Sequence, residues 1–367
     1  MTPKAPESRE IIYIPYWRFK GTLFYGTLTQ GIANRFLDIS RLALPPGAEF
    51  LPASLGVRCQ ALPLKLVSAE TRGRFLKPCR LQETMDEFDR INQVVRIKTE
   101  TIFKEYIGEA ASLIYSPVYI DRGRLVDAVL DQPSTLTLPD DHALQDLETC
   151  RPEKETVFIP GLCPACGADL AGAAEALTLV CRNCQRLWRP HRGRLAAVRF
   201  GRVESDNPRA VYLPFWRMAA DLTGVVLASY ADLVALANLP RVVQPGWKDQ
   251  PFAFWSPAFK VRGDIFHRLC LQLTYAQPQV ELTETIDRRE LMPVTLPAAE
   301  GLESIKITLA AILRPAEIWL PRFADIGIHP SRVTLVFLPF DDRPHELFSP
   351  ALNLSIIKNV LAHAGNL

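Results

Sequence analysis

Four cysteines carry the clearest chemistry in the chain. Cys163 and Cys166 form one C-x-x-C pair, Cys181 and Cys184 form a second, and fourteen residues separate the pairs. Two residues between sulfurs let a single tight turn aim both thiolates at one ion, so this spacing predicts a tetrathiolate metal site. Four protein ligands close a tetrahedron and leave no position for water or substrate, so the expected metal is a structural Zn²⁺. Cys59, Cys79, Cys150 and Cys270 stand alone in the sequence. They read as small buried hydrophobes or inert thiols.

Gly167 follows the first pair and supplies the positive φ that such a knuckle often needs. Leu177, Leu179 and Val180 alternate towards the second pair, which reads as a short hairpin bringing the knuckles together. In Cys163-Pro-Ala-Cys166-Gly, this hairpin, and Cys181-Arg-Asn-Cys184 followed by Leu187 and Trp188, residues 157–198 resemble the zinc-ribbon family. The resemblance implies a zinc-stabilised β-hairpin module, of a kind that serves DNA, RNA and protein binding alike. Rubredoxin, with iron and electron transfer, is the competing resemblance because iron takes the same four ligands. Its second knuckle normally carries a glycine after the last cysteine, where Gln185 stands here, and this favours zinc.

A cationic run begins inside the second knuckle. Arg182, Arg186, Arg189, Arg192, Arg194, Arg199 and Arg202, with His191, meet no carboxylate before Glu204. The planar guanidinium suits phosphate, and Trp188 could stack a base. Arg182, Arg186, Trp188, Arg189, Arg192 and Arg194 are therefore candidate anion or nucleic-acid contacts. The competing expectation is that these arginines cover solvent faces or pair with acidic residues of neighbouring domains.

Elements on either side of this module must position it, and they carry a repeat. Tyr13-Ile-Pro-Tyr-Trp-Arg18 matches Tyr212-Leu-Pro-Phe-Trp-Arg217. Leu51-Pro-Ala, Val57-Arg58 and the alternating Leu62, Leu64, Leu66 match Ser256-Pro-Ala, Val261-Arg262 and Leu269, Leu271, Leu273. Glu83-Thr-Met-Asp86 matches Glu284-Thr-Ile-Asp287, and Leu113-Ile-Tyr-Ser-Pro117 matches Leu335-Val-Phe-Leu-Pro339. The expected layout is a first copy at 10–132, a linker at 133–156, a zinc ribbon at 157–200, and a second copy with a C-terminal helix at 209–365. The fold class is a β-rich α+β: two homologous copies of one antiparallel-sheet unit with the ribbon inserted between them. Polar residues that recur in both copies, such as Arg18 and Arg217, read as ion pairs and caps that maintain each copy.

The aromatic, proline-containing segments read as strands. Proline cannot donate to a ladder, so these strands are expected at edges or with bulges. Tyr16, Trp17, Phe215 and Trp216 then become candidate anchors for a protein partner that adds its own strand. Thr84-Met-Asp-Glu87 has the form of a capping box, and Met85, Phe88, Val95, Ile102 and Tyr106 predict a helix of about 84–108. Ser349-Pro350 predicts the start of a C-terminal helix running to Gly365.

Composition limits what remains. With 48% hydrophobic and 22% charged residues, global disorder is excluded. Forty-two basic and 40 acidic side chains leave a net charge of +2, so binding to a polyanion would have to come from a local patch. Thirty prolines exclude a long-helix or coiled-coil protein. The polar N-terminus lacks a secretory signal, and Leu222–Leu239 is broken by Asp232, so a cytoplasmic protein without a membrane span is expected. No phosphate loop, dinucleotide fingerprint or nucleophile elbow occurs, and the histidines have no metal spacing. The resulting expectation is a non-catalytic zinc-binding adaptor or assembly subunit that docks a protein partner. A nucleic-acid-binding protein using the ribbon and a rubredoxin-like iron electron-transfer component are the alternatives.

Overall fold

Aromatic and β-branched residues hold Ile12–Thr27 extended as strand β1. The computed structural model describes residues 9–28, 31–48, 50–56, 64–68, 70–84, 101–139, 144–151, 158–279, 281–286 and 290–362. Strand makes up 42% and helix 18%, which gives the expected β-rich α+β class. Two compact units emerge: residues 1–21, 37–98 and 109–156 form the first, and residues 22–36, 99–108 and 157–367 the second. No helix among the described residues is long and apolar enough to cross a membrane.

The first sheet contains β1, β2 (Gly31–Leu42), β3 (Arg74–Leu76), β4 (Thr101–Asp121), β5 (Arg124–Asp127), β6 (Gln132–Thr137) and β7 (Thr149–Cys150). Their order is β6-β5-β4-β1-β3-β7, with β2 also on β1. In the first unit, Ile12, Ile14, Tyr16, Leu76, Val118 and Leu125 form the core. Residues 133–156, expected as a linker, contribute most of β6, all of β7, and the buried side chains of Leu138 and Leu144. Those apolar side chains draw the segment onto the sheet.

A four-stranded sheet follows, built from β8 (Leu170–Ala171), β9 (Leu179–Cys181), β10 (Arg186–His191) and β11 (Arg194–Val198). The remaining strands are β12 (Phe200–Val203), β13 (Val211–Thr223), β14 (Phe254–Pro257), β15 (Leu282–Thr283), β16 (Gly327–Asp342), β17 (Glu346–Ser349) and β18 (Leu354–Ile357). Their main path is β14-β13-β16-β12-β15, extended from β16 through β17 to β18. Helices α1 (Tyr230–Leu236), α2 (Gly263–Ala276) and α3 (Ala298–Ile312) complete the second unit's scaffold. Ser229 and Asp232 form a reciprocal capping box that starts α1.

One hydrogen-bond circuit occurs in both units. In the first, Ala43 donates to the Pro15 carbonyl at 2.9 Å, Cys79 donates to the Ala43 carbonyl at 2.8 Å, and the Trp17 indole donates to the Cys79 carbonyl at 2.9 Å. In the second, Ala258 donates to Pro214 at 3.0 Å, Leu296 donates to Ala258 at 3.0 Å, and Trp216 donates to the Leu296 carbonyl at 3.0 Å. Tyr13 pairs in parallel with Phe75, and Tyr212 with Leu291. The strand order is also shared: β1, β4, β5 and β6 pair in succession, as do β13, β16, β17 and β18.

The strands that carry Pro15, Pro117, Pro214 and Pro339 are not edges, and the β13–β16 ladder carries an irregularity between Ala219 and Ala220. β13 is flanked by β14 and β16, and β1 by strands on both sides. Tyr212 donates to Glu290, and Met292 donates back to Tyr212; the next donor on that flank would be residue 214, where proline has none. Pairing passes there to β14, whose register begins at Phe215↔Pro257. The prolines thus mark a change of partner strand, at which no donor is required.

Two helix expectations change. Residues 81–84 form a helical turn, but Ile102 and Tyr106 lie in β4; Met85, Phe88 and Val95 fall outside the described residues. Ser349 and Pro350 do not start a helix. They begin the turn between β17 and β18, with Ser349 opposite Leu354, and a short helix, α4 (Lys358–Ala362), comes only afterwards. Leu269, Leu271 and Leu273 belong to α2 rather than to a strand, and Leu64 and Leu66 lie in no strand. Glu83 and Thr84 are helical, whereas Glu284 lies in neither helix nor strand; Met85, Asp86 and Asp287 fall outside the described residues.

Candidate metal centre and its surroundings

The two C-x-x-C turns bring four sulfurs within 4.8 Å of one another, a cluster that could hold a metal ion. Cys163 Sγ lies 3.5 Å from Cys184 Sγ, and Cys166 Sγ lies 3.4 Å from Cys181 Sγ. A tetrahedral ion with metal–sulfur bonds of about 2.3 Å sets sulfurs about 3.8 Å apart, close to this spacing. All four donors are thiols, so the set fits a closed tetrathiolate site.

Backbone geometry builds the first knuckle. Gly167 takes φ 74° and donates to the Cys163 carbonyl at 2.8 Å, while Cys163 donates to the Ala168 carbonyl at 2.8 Å. In the second knuckle the same position is Gln185, at φ 58°. A non-glycine residue therefore accepts the left-handed conformation, at a cost of about 1–2 kcal/mol. The missing glycine does not prevent a knuckle, and so does not by itself separate zinc from iron.

Thiol ionisation is already prepared in part. The Asn183 side chain and the Ala168 N–H bond the Cys166 sulfur and, with Cys181, lower its pKa to about 6. Burial pushes Cys163 up, but N–H groups of Ala165 and Cys166 and the neighbouring thiols outweigh it, leaving a lowered value. Cys184 is raised to about 12 by burial and by its three cysteine neighbours. A bound divalent cation would supply the positive charge that lets all four ionise. Asn183 was not foreseen as a contributor, although its place between Cys181 and Cys184 was visible.

The metal module is not an isolated bead. Leu187 is 1% exposed and joins the core cluster of Tyr212, Trp216, Leu335 and Phe337, with Val180 and Val198 packed against it. Leu177 donates to the Val294 carbonyl at 2.7 Å. Beyond β11, the chain enters β12, which pairs in parallel with β16.

The arginines divide between locations. In the β10–β11 register, Leu187↔Val198, Arg189↔Ala196 and His191↔Arg194 share one face, whereas Trp188↔Ala197 lies on the other, with Arg186. Arg192 and Gly193, at φ 49° and 76°, make the tight turn between these strands. Arg182, Arg186, Arg189, Arg192 and Arg194 are exposed, and among the described residues none pairs with a carboxylate. Trp188 is buried against Cys163 and Cys181, so it cannot present its ring to a base. Arg202 is also buried, donating to the Thr285 carbonyl and the Tyr212 hydroxyl.

The candidate docking rings lie inside the units. Tyr16, Phe215 and Trp216 are buried, Tyr16 donates to the Pro52 carbonyl, and half-buried Trp17 closes the circuit through Cys79. Tyr16, Phe215 and Trp216 offer no outward face for a partner, whereas Trp17 is partly exposed. No family model, curated protein or solved structure matches the chain.

Proposed function

We propose that the protein is a non-catalytic, zinc-stabilised nucleic-acid-binding component that contacts phosphates through the end of the β10–β11 hairpin. The carrying observation is the placement of Arg189, Arg192 and Arg194, with His191, at that end, exposed and without carboxylate partners among the described residues. Leu187 anchors the base of the hairpin in the second unit, so the guanidinium groups are presented on a braced element. Zinc is the metal of this reading, and a structural role suits a closed tetrathiolate with no free position; iron would occupy the same four ligands. The metal holds the turns from which β10 departs. A reducing, cytoplasmic setting accords with the lack of any disulfide among the described residues.

The shared circuit through Trp17 and Trp216, and the shared strand order, support reading the flanking units as copies of one ancestral unit with the ribbon inserted between them. Each copy would supply a scaffold, with the second one bracing the hairpin. Docking of a protein partner, the leading expectation from the sequence, has less support because Tyr16, Phe215 and Trp216 are buried. Filter binding of the purified protein to a DNA duplex and a single-stranded RNA across a salt series tests the reading. Binding whose log affinity falls linearly with log salt supports it, and no retention of either probe at low salt refutes it. Metal analysis showing stoichiometric zinc and no visible chromophore supports the zinc assignment; a coloured, redox-active iron protein refutes it.

A further inference from the structure

Arg18 and Arg217 each stand three residues after the strand proline of their unit, and their partners differ. Arg18 Nε and Nη2 meet the Asp38 carboxylate oxygens at 2.8 and 2.9 Å in a forked ion pair. Arg217 is half-buried, its guanidinium 5.9 Å from the centroid of the Trp255 ring. Among the described residues it has no carboxylate within ion-pair distance. Counting from the alanine that donates to the proline carbonyl, Asp38 precedes Ala43 by five residues, and the residue five before Ala258 is Ala253. The same count thus reaches an alanine, not an acid, in the second unit.

Another cation is the neighbour instead. Arg217 pairs with Thr334 across β13 and β16, and Ala219 pairs with Arg332, which puts the two arginines diagonally on one face of the sheet. Burial first, and the Arg332 charge second, lower the Arg217 pKa. A half-buried guanidinium with a like charge beside it and no counter-ion is unfavourable until an anion arrives. The planar fork of Arg217 presents parallel N–H donors suited to an oxyanion, and exposed Arg332 leaves one side open to solvent.

We propose that Arg217 and Arg332 form an oxyanion site on the β13–β16 face that binds a phosphate group, distinct from the hairpin end. The test is calorimetric titration of the full, metal-loaded chain with inorganic phosphate at constant ionic strength. Saturable binding is expected, weakened about tenfold or more in Arg217→Lys, which keeps the charge and loses the fork, and several-fold in Arg332→Ser. Should Arg217→Lys fail to fold, the exposed Arg332→Ser decides. Competition by a short oligonucleotide would identify the natural phosphate as a nucleic-acid backbone, and lack of competition a small phosphate compound. No saturable binding, or binding unchanged in the Arg217 and Arg332 variants, overturns the site, whatever becomes of the hairpin reading.

Discussion

Trp216 donates its indole N–H to the carbonyl oxygen of Leu296 at 3.0 Å and thereby closes a circuit that runs through Ala258 and Pro214. The bond ties β13 to the segment leading into α3. Trp216→Phe leaves that carbonyl without its donor and should destabilise the second unit by about 1–3 kcal/mol, read as a lower urea midpoint. Trp17→Phe should act in the same direction on the first unit, but more weakly, because Trp17 is only half-buried. Unchanged midpoints would show that the circuit contributes nothing.

Leu187→Ala tests whether the metal module is part of the second unit. Its side chain is 1% exposed in the main core cluster, so truncation should cost about 2–5 kcal/mol and lower the unfolding midpoint of the whole unit. Cys163→Ser should likewise release the metal and lower that midpoint. A change confined to local exchange around the knuckles would mean that the module folds by itself.

Gln185 occupies a left-handed position that glycine adopts without a side-chain penalty. Gln185→Gly should therefore stabilise the metal-loaded protein by about 1 kcal/mol, measured as a higher melting temperature and slower metal loss to a chelator. A lower melting temperature would contradict this view of the knuckle.

His267 gives the second unit an acid sensitivity. Among the described residues its buried Nε2 has no hydrogen-bond partner, and burial lowers its pKa from 6.5. Because the folded value lies below the unfolded one, its contribution is complete above pH 6.5 and is lost as pH falls, when the unfolded chain takes up the proton first. Between about pH 7 and 5, stability should fall more steeply in the parent than in His267→Gln. Parallel curves would remove His267 as the cause.

The metal ligands were legible because four cysteines at fixed spacing leave few other readings, and the aromatic-proline segments were legible as strands. Ile102 and Tyr106 misled because a spacing of four suits strand alternation as well as a helical face. Leu269, Leu271 and Leu273 misled in the opposite sense: Phe266, Leu269, Cys270 and Leu273 supply the helical face of α2. The prolines suggested edges because only the missing donor was counted, whereas the fold places them where one flank changes partners. Trp188 looked available for stacking, and its burial against the cysteines depends on strand alternation relative to the metal. The contrast between Arg18 and Arg217 was invisible, since it depends on which strand residue faces each guanidinium.

The most direct test of the hairpin reading compares the salt dependence of nucleic-acid binding in the parent with that of the Arg189→Ser, Arg192→Ser, Arg194→Ser variant. Three lost phosphate contacts should make the slope of log affinity against log salt shallower by about 3 on duplex DNA, alongside weaker binding at every salt concentration. An identical slope and affinity in the two proteins would contradict the account.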